Sequence, residues 1–136
     1  MRRFHFAFKV RDIESTRKFY VELLGCKEGR STDTWIDFDF FGNQLSAHVS
    51  DALGDLDYCG KVDSVNVPIP HFGCILEKDE FLKIKTTLEE ANTKFIIKAQ
   101  TRYQGLTGEQ LTMFLFDPSN NPIEFKSYTN EEEIFM

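Results

Sequence analysis

Pro70-His71-Phe72-Gly73-Cys74-Ile75-Leu76 opens the second half of the chain and repeats the form of Phe4-His5-Phe6-Ala7-Phe8 at the start of the first. Each stretch reads His-Phe-small residue and then alternates between two faces, as a strand with one apolar side does. Each is followed by an amphipathic helical pattern and then by short strands. The chain has three histidines, and two of them hold this same slot.

Working outward from the first copy, residues 3–10 place Phe4, Phe6, Phe8 and Val10 on one face and His5, Ala7 and Lys9 on the other. Asp12 is suited to cap a helix over 13–24, with Ile13, Tyr20, Leu23 and Leu24 at helical spacing and Gly25 as its stop. A short strand at 26–30, a strand from Thr34 to Phe40, a turn at Gly42-Asn43 and a strand from Gln44 to Val49 complete the unit. The second copy predicts a strand at 70–77, then a helix from about Asp79 with Phe81, Ile84, Leu88 and Ala91 as its stripe. Strands follow at Lys94–Lys98, Leu111–Phe116 and Ile123–Tyr128, the last two joined by the dense turn Asp117-Pro118-Ser119-Asn120-Asn121-Pro122. Residues 50–69 show neither period and read as a connector, partly wrapped over a cleft. The pattern is β-α-β-β-β twice: module one over about 1–50, a connector over about 51–69, module two over about 70–128 and a solvated acidic tail at 129–136. Each sheet buries one face under its own helix, and the other face is left for the second module or a cavity.

Composition narrows the function. A length of 136 residues suits one domain. The net charge of −6 excludes a nucleic-acid binder, which needs a basic footprint, and disfavours an anionic membrane surface. No apolar run is long enough to span a bilayer. Cys26, Cys59 and Cys74 are odd in number and lack C-x-x-C spacing, which argues against a disulfide framework and a thiolate zinc site and for a cytoplasmic protein with reduced thiols.

A lone strand histidine is more often a surface or hydrogen-bonded residue than a ligand. Here, however, His5, His48, His71 and Glu124 all lie opposite the apolar face of their strands. If first and last strands are neighbours in each sheet, the four side chains converge. Imidazoles and a carboxylate suit Zn, Fe, Mn, Ni or Co, and two histidines with one carboxylate make the facial triad of non-haem Fe(II) oxygenases.

Three stretches carry a resemblance. They are His5 with Asp12-Ile13-Glu14-Ser15-Thr16-Arg17-Lys18-Phe19-Tyr20-Val21-Glu22-Leu23-Leu24-Gly25, then His71-Phe72-Gly73, then Phe116-Asp117-Pro118-Ser119-Asn120-Asn121-Pro122-Ile123-Glu124. Together they resemble the vicinal oxygen chelate superfamily of glyoxalase I, extradiol dioxygenases, fosfomycin-resistance thiol transferases and bleomycin-resistance proteins. The resemblance implies an α+β fold of two βαβββ modules forming a mixed eight-stranded cup with helices outside. It implies His5, His71 and Glu124 as ligands of a divalent metal ion, with Fe(II) favoured and Zn, Ni or Mn as alternatives. His48 falls at or near the slot that holds a fourth ligand, a glutamate, in glyoxalase I. As a histidine it is either a fourth ligand or an acid/base group that does not bind the metal. Trp35 and Asp37 point to the ligand face and, with Arg102, are candidates for substrate binding. Tyr103 is a candidate catalytic donor to a developing oxyanion.

The function expected is a metal-dependent dioxygenase acting on a small oxygenated, catechol-like substrate. The alternatives are a glyoxalase-like lyase or isomerase and a non-enzymatic protein that sequesters a small molecule such as an antibiotic. Open sheet edges predict a homodimer.

Overall fold

Alternation over the first residues becomes strand β1, His5–Val10, which buries Phe8 and Val10 and leaves His5, Ala7 and Lys9 exposed. The computed structural model describes all of residues 1–136. Asp12 caps helix α1, Ile13–Arg17, by accepting the Ser15 N–H at 2.7 Å. The sequence predicts an α-helix as far as residue 24. Instead Lys18–Leu23 widen into a π-turn, and the Leu24 N–H donates to the Phe19 carbonyl at 3.0 Å. The extra residue in that turn lets two consecutive aromatics, Phe19 and Tyr20, both be buried. Gly25, at φ +76°, ends it.

Strands β2 (Lys27–Ser31), β3 (Trp35–Phe40) and β4 (Asn43–Val49) complete a four-stranded sheet in the order β1-β4-β3-β2. β1 and β4 are parallel and the other pairs antiparallel. The buried face carries Phe8, Ile36, Phe38, Phe40, Leu45 and Ala47. Tyr20 stacks on Phe38 at 5.1 Å and tilts against Phe8 at 5.7 Å. This compact unit comprises Met1–Asp55 together with Asp117–Asn121, a turn that returns from far along the sequence.

The other unit comprises Leu56–Phe116 and Pro122–Met136. Where the sequence reads as a featureless connector, the chain forms a hairpin of β5 (Gly60–Val62) and β6 (Val65–Val67). Three-residue strands are too short to show a period. Val62 and Val67 nevertheless form a buried cluster with Ile97 and Phe114. Then come β7 (Phe72–Ile75), α2 (Lys78–Glu90), β8 (Phe95–Arg102), β9 (Gln110–Phe116) and β10 (Pro122–Tyr128), with a final 3₁₀ turn at Glu131–Glu133. The sheet order is β7-β10-β9-β8, with β7 and β10 parallel. β8 reaches Arg102, beyond the predicted Lys98, because bulges between Phe95 and Gln100 break the alternation that marks a strand. The chain is therefore α+β with two βαβββ modules, and in each the first and last strands are neighbours.

Gly73 stands opposite Glu124 in the β7–β10 register. A Cβ at Gly73 would run into the Glu124 carbonyl. Gly73→Ala should therefore push the strands apart and cost roughly 3 kcal/mol, the upper end of overpacking penalties. The urea midpoint of the variant beside wild type measures this; equal midpoints would show that the strand pair yields freely.

Candidate metal-binding site

Glu124 alternates with Ile123 and Phe125, both fully buried, and so projects from the opposite face of β10. It is only 8% exposed. Its Oε2 accepts the Thr112 hydroxyl at 2.9 Å. Its Oε1 lies 3.5 Å from His71 Nε2 and 3.8 Å from Lys126 Nζ. His71 stands just before β7, its Nδ1 2.8 Å from the Pro68 carbonyl and its ring edge-on to Phe114 at 4.7 Å. A cleft of about 210 Å³ is lined by His71, Gly73, Cys74, Glu124 and Lys126.

These contacts set the chemistry of the pair. A carbonyl only accepts, so His71 Nδ1 carries the proton and donates it to Pro68. In the neutral ring, Nε2 then presents a lone pair toward a carboxylate oxygen, itself an acceptor. Two facing acceptors are satisfied by a cation shared between them, either a proton on Nε2 or a metal ion. The 3.5 Å gap exceeds the roughly 2.7–2.9 Å of a charge-assisted hydrogen bond. Two ligands each about 2.1 Å from a shared ion stand about 3–3.4 Å apart. The pair therefore fits a divalent metal, and a backbone carbonyl that fixes the tautomer is the support such a histidine needs. No group of three His, Cys, Asp or Glu side chains converges, so the pair by itself offers two donors.

In the first unit the open face of the sheet carries rows set by register. His5 pairs with Gln44 across β1–β4, and Gln44 pairs with Asp39 across β4–β3. His5 Nδ1 donates to Gln44 Oε1 at 2.8 Å, which leaves its exposed Nε2 with the lone pair. His48 pairs instead with Lys9 and Trp35. It lies four residues beyond Gln44, about 13 Å along the strand. The register thus sets Gln44, and not His48, beside His5. Asp37 accepts the Ser46 hydroxyl at 2.6 Å and lines an open hollow of about 360 Å³ with Arg3, Arg30, Asp39 and Gln44. Trp35 has the Arg30 guanidinium 6.0 Å over its ring.

Arg102 and Tyr103 are placed apart from the His71–Glu124 pair. Arg102 ends β8 opposite Gln110, which pairs with Tyr128, four residues from Glu124. Tyr103 sits at φ +55°, 47% exposed, and its hydroxyl accepts from Arg102 Nη2 at 3.0 Å. Thr112 and Gln44 are the two partners that reading the sequence alone does not single out. For Thr112 the available signal was a hydroxyl in the otherwise apolar run Leu111–Phe116. For Gln44 it was a polar residue on the same face as His48.

A family profile described as the Glyoxalase/Bleomycin resistance protein/Dioxygenase superfamily matches residues 2–125. No curated protein matches the sequence significantly. Among solved structures, one from Alicyclobacillus acidocaldarius titled glyoxalase/bleomycin resistance protein/dioxygenase is 35% identical. Its TM-score is 0.78 over 98% of this chain and 96% of that one. The genomically encoded fosfomycin resistance protein FosX of Listeria monocytogenes is similar at 18% identity and TM-score 0.72, over 96% and 95%. A putative glyoxalase family protein from Bacillus anthracis is similar at 15% identity and TM-score 0.66, over 95% and 96%. For the last two the likeness is one of fold.

Proposed function

The chain belongs to the glyoxalase/bleomycin resistance protein/dioxygenase superfamily, and from that premise we propose that it is a metal-dependent enzyme acting on a small oxygenated molecule, with Fe(II) as its metal and a dioxygenase-type reaction as its chemistry. One observation carries this reading: His71 Nε2 and Glu124 Oε1 face each other 3.5 Å apart in a cleft, beyond the length of a charge-assisted hydrogen bond. These two residues would hold the ion, and the resemblance implies His5 as the third ligand. Bound there, a divalent ion supplies a Lewis acid with open positions for adjacent substrate oxygens.

The chain's own groups prepare that site. Pro68 keeps the proton on His71 Nδ1, and Phe114 holds the plane of the ring. Thr112 fixes one Glu124 oxygen, so that the other is the one presented. Lys126 offsets part of the carboxylate charge. The residue beside His5 bears on reaction class. A glyoxalase-type proton transfer needs a base near the reacting carbon, and the Gln44 carboxamide cannot take a proton at neutral pH. That favours chemistry at the substrate oxygens over isomerisation at carbon.

Metal analysis of protein purified without a metal-affinity tag tests this. Near-stoichiometric iron is expected in wild type and in His48→Ala, and loss of iron in His71→Ala. Nickel or zinc in place of iron would move the protein to the lyase or isomerase class. No metal, with none taken up on dialysis, would leave a small-molecule sequestering protein. Loss of metal in His48→Ala matching that in His71→Ala would restore His48 as a ligand.

A further inference from the structure

On the Glu124 face of the second sheet, at its far end, two buried polar atoms lack partners: Arg102 Nε and Gln110 Oε1. The residues are direct cross-strand neighbours in the β8–β9 register. Gln110 is 4% exposed and the Arg102 side chain 13%. An unmade hydrogen bond at such a position is costly, more so for a charged group, and native chains rarely leave a donor and an acceptor orphaned side by side.

The groups around them show what is missing. Arg102 Nη2 donates to the Tyr103 hydroxyl at 3.0 Å, and the guanidinium lies 4.8 Å over the Tyr103 ring. The carboxylate in contact is that of Asp63, whose Oδ1 is 3.4 Å from Arg102 Nε without making a hydrogen bond. Gln100 Nε2 donates to the other Asp63 oxygen at 3.3 Å. Asp63 occupies the tip of the β5–β6 hairpin at φ +55°, and its side chain is 54% exposed. The buried Nε of this guanidinium thus meets only a long, solvent-facing contact from a loop tip, where a bidentate carboxylate at about 2.8 Å would normally sit.

We propose that Arg102, Gln110 and Gln100 form a binding site for a carboxylate that carries a neighbouring O–H or N–H, as in a 2-hydroxy or amino acid, and that the Asp63 carboxylate stands in for that ligand. The ligand carboxylate would take the Nε–Nη2 edge of Arg102, and its hydroxyl or amine would donate to Gln110 Oε1. Asp63 swings into solvent. The site is independent of the metal: Gln110 pairs with Tyr128, about 13 Å along β10 from Glu124. Failure of either reading leaves the other standing.

The test is an NMR titration of the full chain that follows the Arg102 Nε–H signal. The probes are glycolate, acetate (no donor) and methyl glycolate (no charge). Asp63→Asn removes the competing carboxylate and keeps the turn, because Asn tolerates positive φ. Glycolate is expected to shift the Arg102 signal saturably, more strongly than acetate, with methyl glycolate silent. If Asp63 fills the site nine-tenths of the time, Asp63→Asn should tighten glycolate binding about tenfold. An Arg102 signal that ignores glycolate in both proteins, or that responds equally to methyl glycolate, overturns the site. Equal glycolate affinity in the two proteins overturns the role given to Asp63.

Discussion

Glu124→Gln is expected to weaken divalent metal binding by at least about a hundredfold while leaving the metal-free protein as stable as wild type or more so. Gln keeps the shape of Glu, and its carbonyl oxygen can still accept the Thr112 hydroxyl that now bonds Glu124 Oε2 at 2.9 Å. Its NH₂ would then face His71 Nε2, where wild type sets a carboxylate oxygen 3.5 Å from that lone pair. A clash of acceptors becomes a hydrogen bond worth about 1 kcal/mol. Loss of ligand strength with gain of stability is what a residue kept for function gives, since such sites hold arrangements that the fold alone would not choose. Calorimetric titration with Fe(II) or Zn(II), beside thermal unfolding of the metal-free proteins, reads both halves. Unchanged metal affinity would remove Glu124 from the site. A clear loss of stability with affinity retained would make it a structural partner of Thr112.

Side-chain parity explains how much of this was legible in the sequence. Alternation along a strand survives errors of a residue or two at its ends, so the faces of His5, Trp35, Asp37, His48 and Glu124 could be read directly. Position along the strand could not, because it depends on register. His5 faces Gln44 because β1 and β4 pair in parallel at that offset. Nothing within either strand distinguishes that offset from one that would set His48 there. The hairpin at 60–67 was hidden for a different reason: its buried cluster is made with Ile97 and Phe114, thirty or more positions away in sequence. Arg102 was legible as a cation near a loop. Its orphaned Nε was not, since that depends on Asp63 at a hairpin tip the sequence does not announce.

The turn 117–121 was legible as a turn but not as a clamp, and Asp117→Ala is expected to be the most destabilising single change in the first unit. Asp117 is 4% exposed. Its carboxylate accepts the Tyr20 hydroxyl at 2.9 Å, the Ser119 and Asn121 N–H groups at 2.8 Å each, and Asn121 Nδ2 at 2.9 Å. Ser119 Oγ in turn accepts the Arg11 N–H, and Asn121 Nδ2 donates to the Lys9 carbonyl. The turn is thereby tied to the end of β1 and to the π-turn. Removing the carboxylate strands several buried donors at once and should cost on the order of 4 kcal/mol, whereas Tyr20→Phe removes one bond and should cost about 1 kcal/mol. Burial holds the Asp117 carboxyl above the usual carboxylate range, only partly opposed by its donors. The native state therefore binds this proton more tightly than the unfolded chain does. Stability contributed by Asp117 falls as pH rises from about 4 through the raised native value, and levels off above it. The difference in unfolding free energy between wild type and Asp117→Ala should accordingly be larger near pH 4 than at pH 7. A difference that grows toward pH 7 would mean that the four donors, and not burial, set the carboxyl's affinity for its proton, and that the clamp is held by an ion rather than by an acid kept from water.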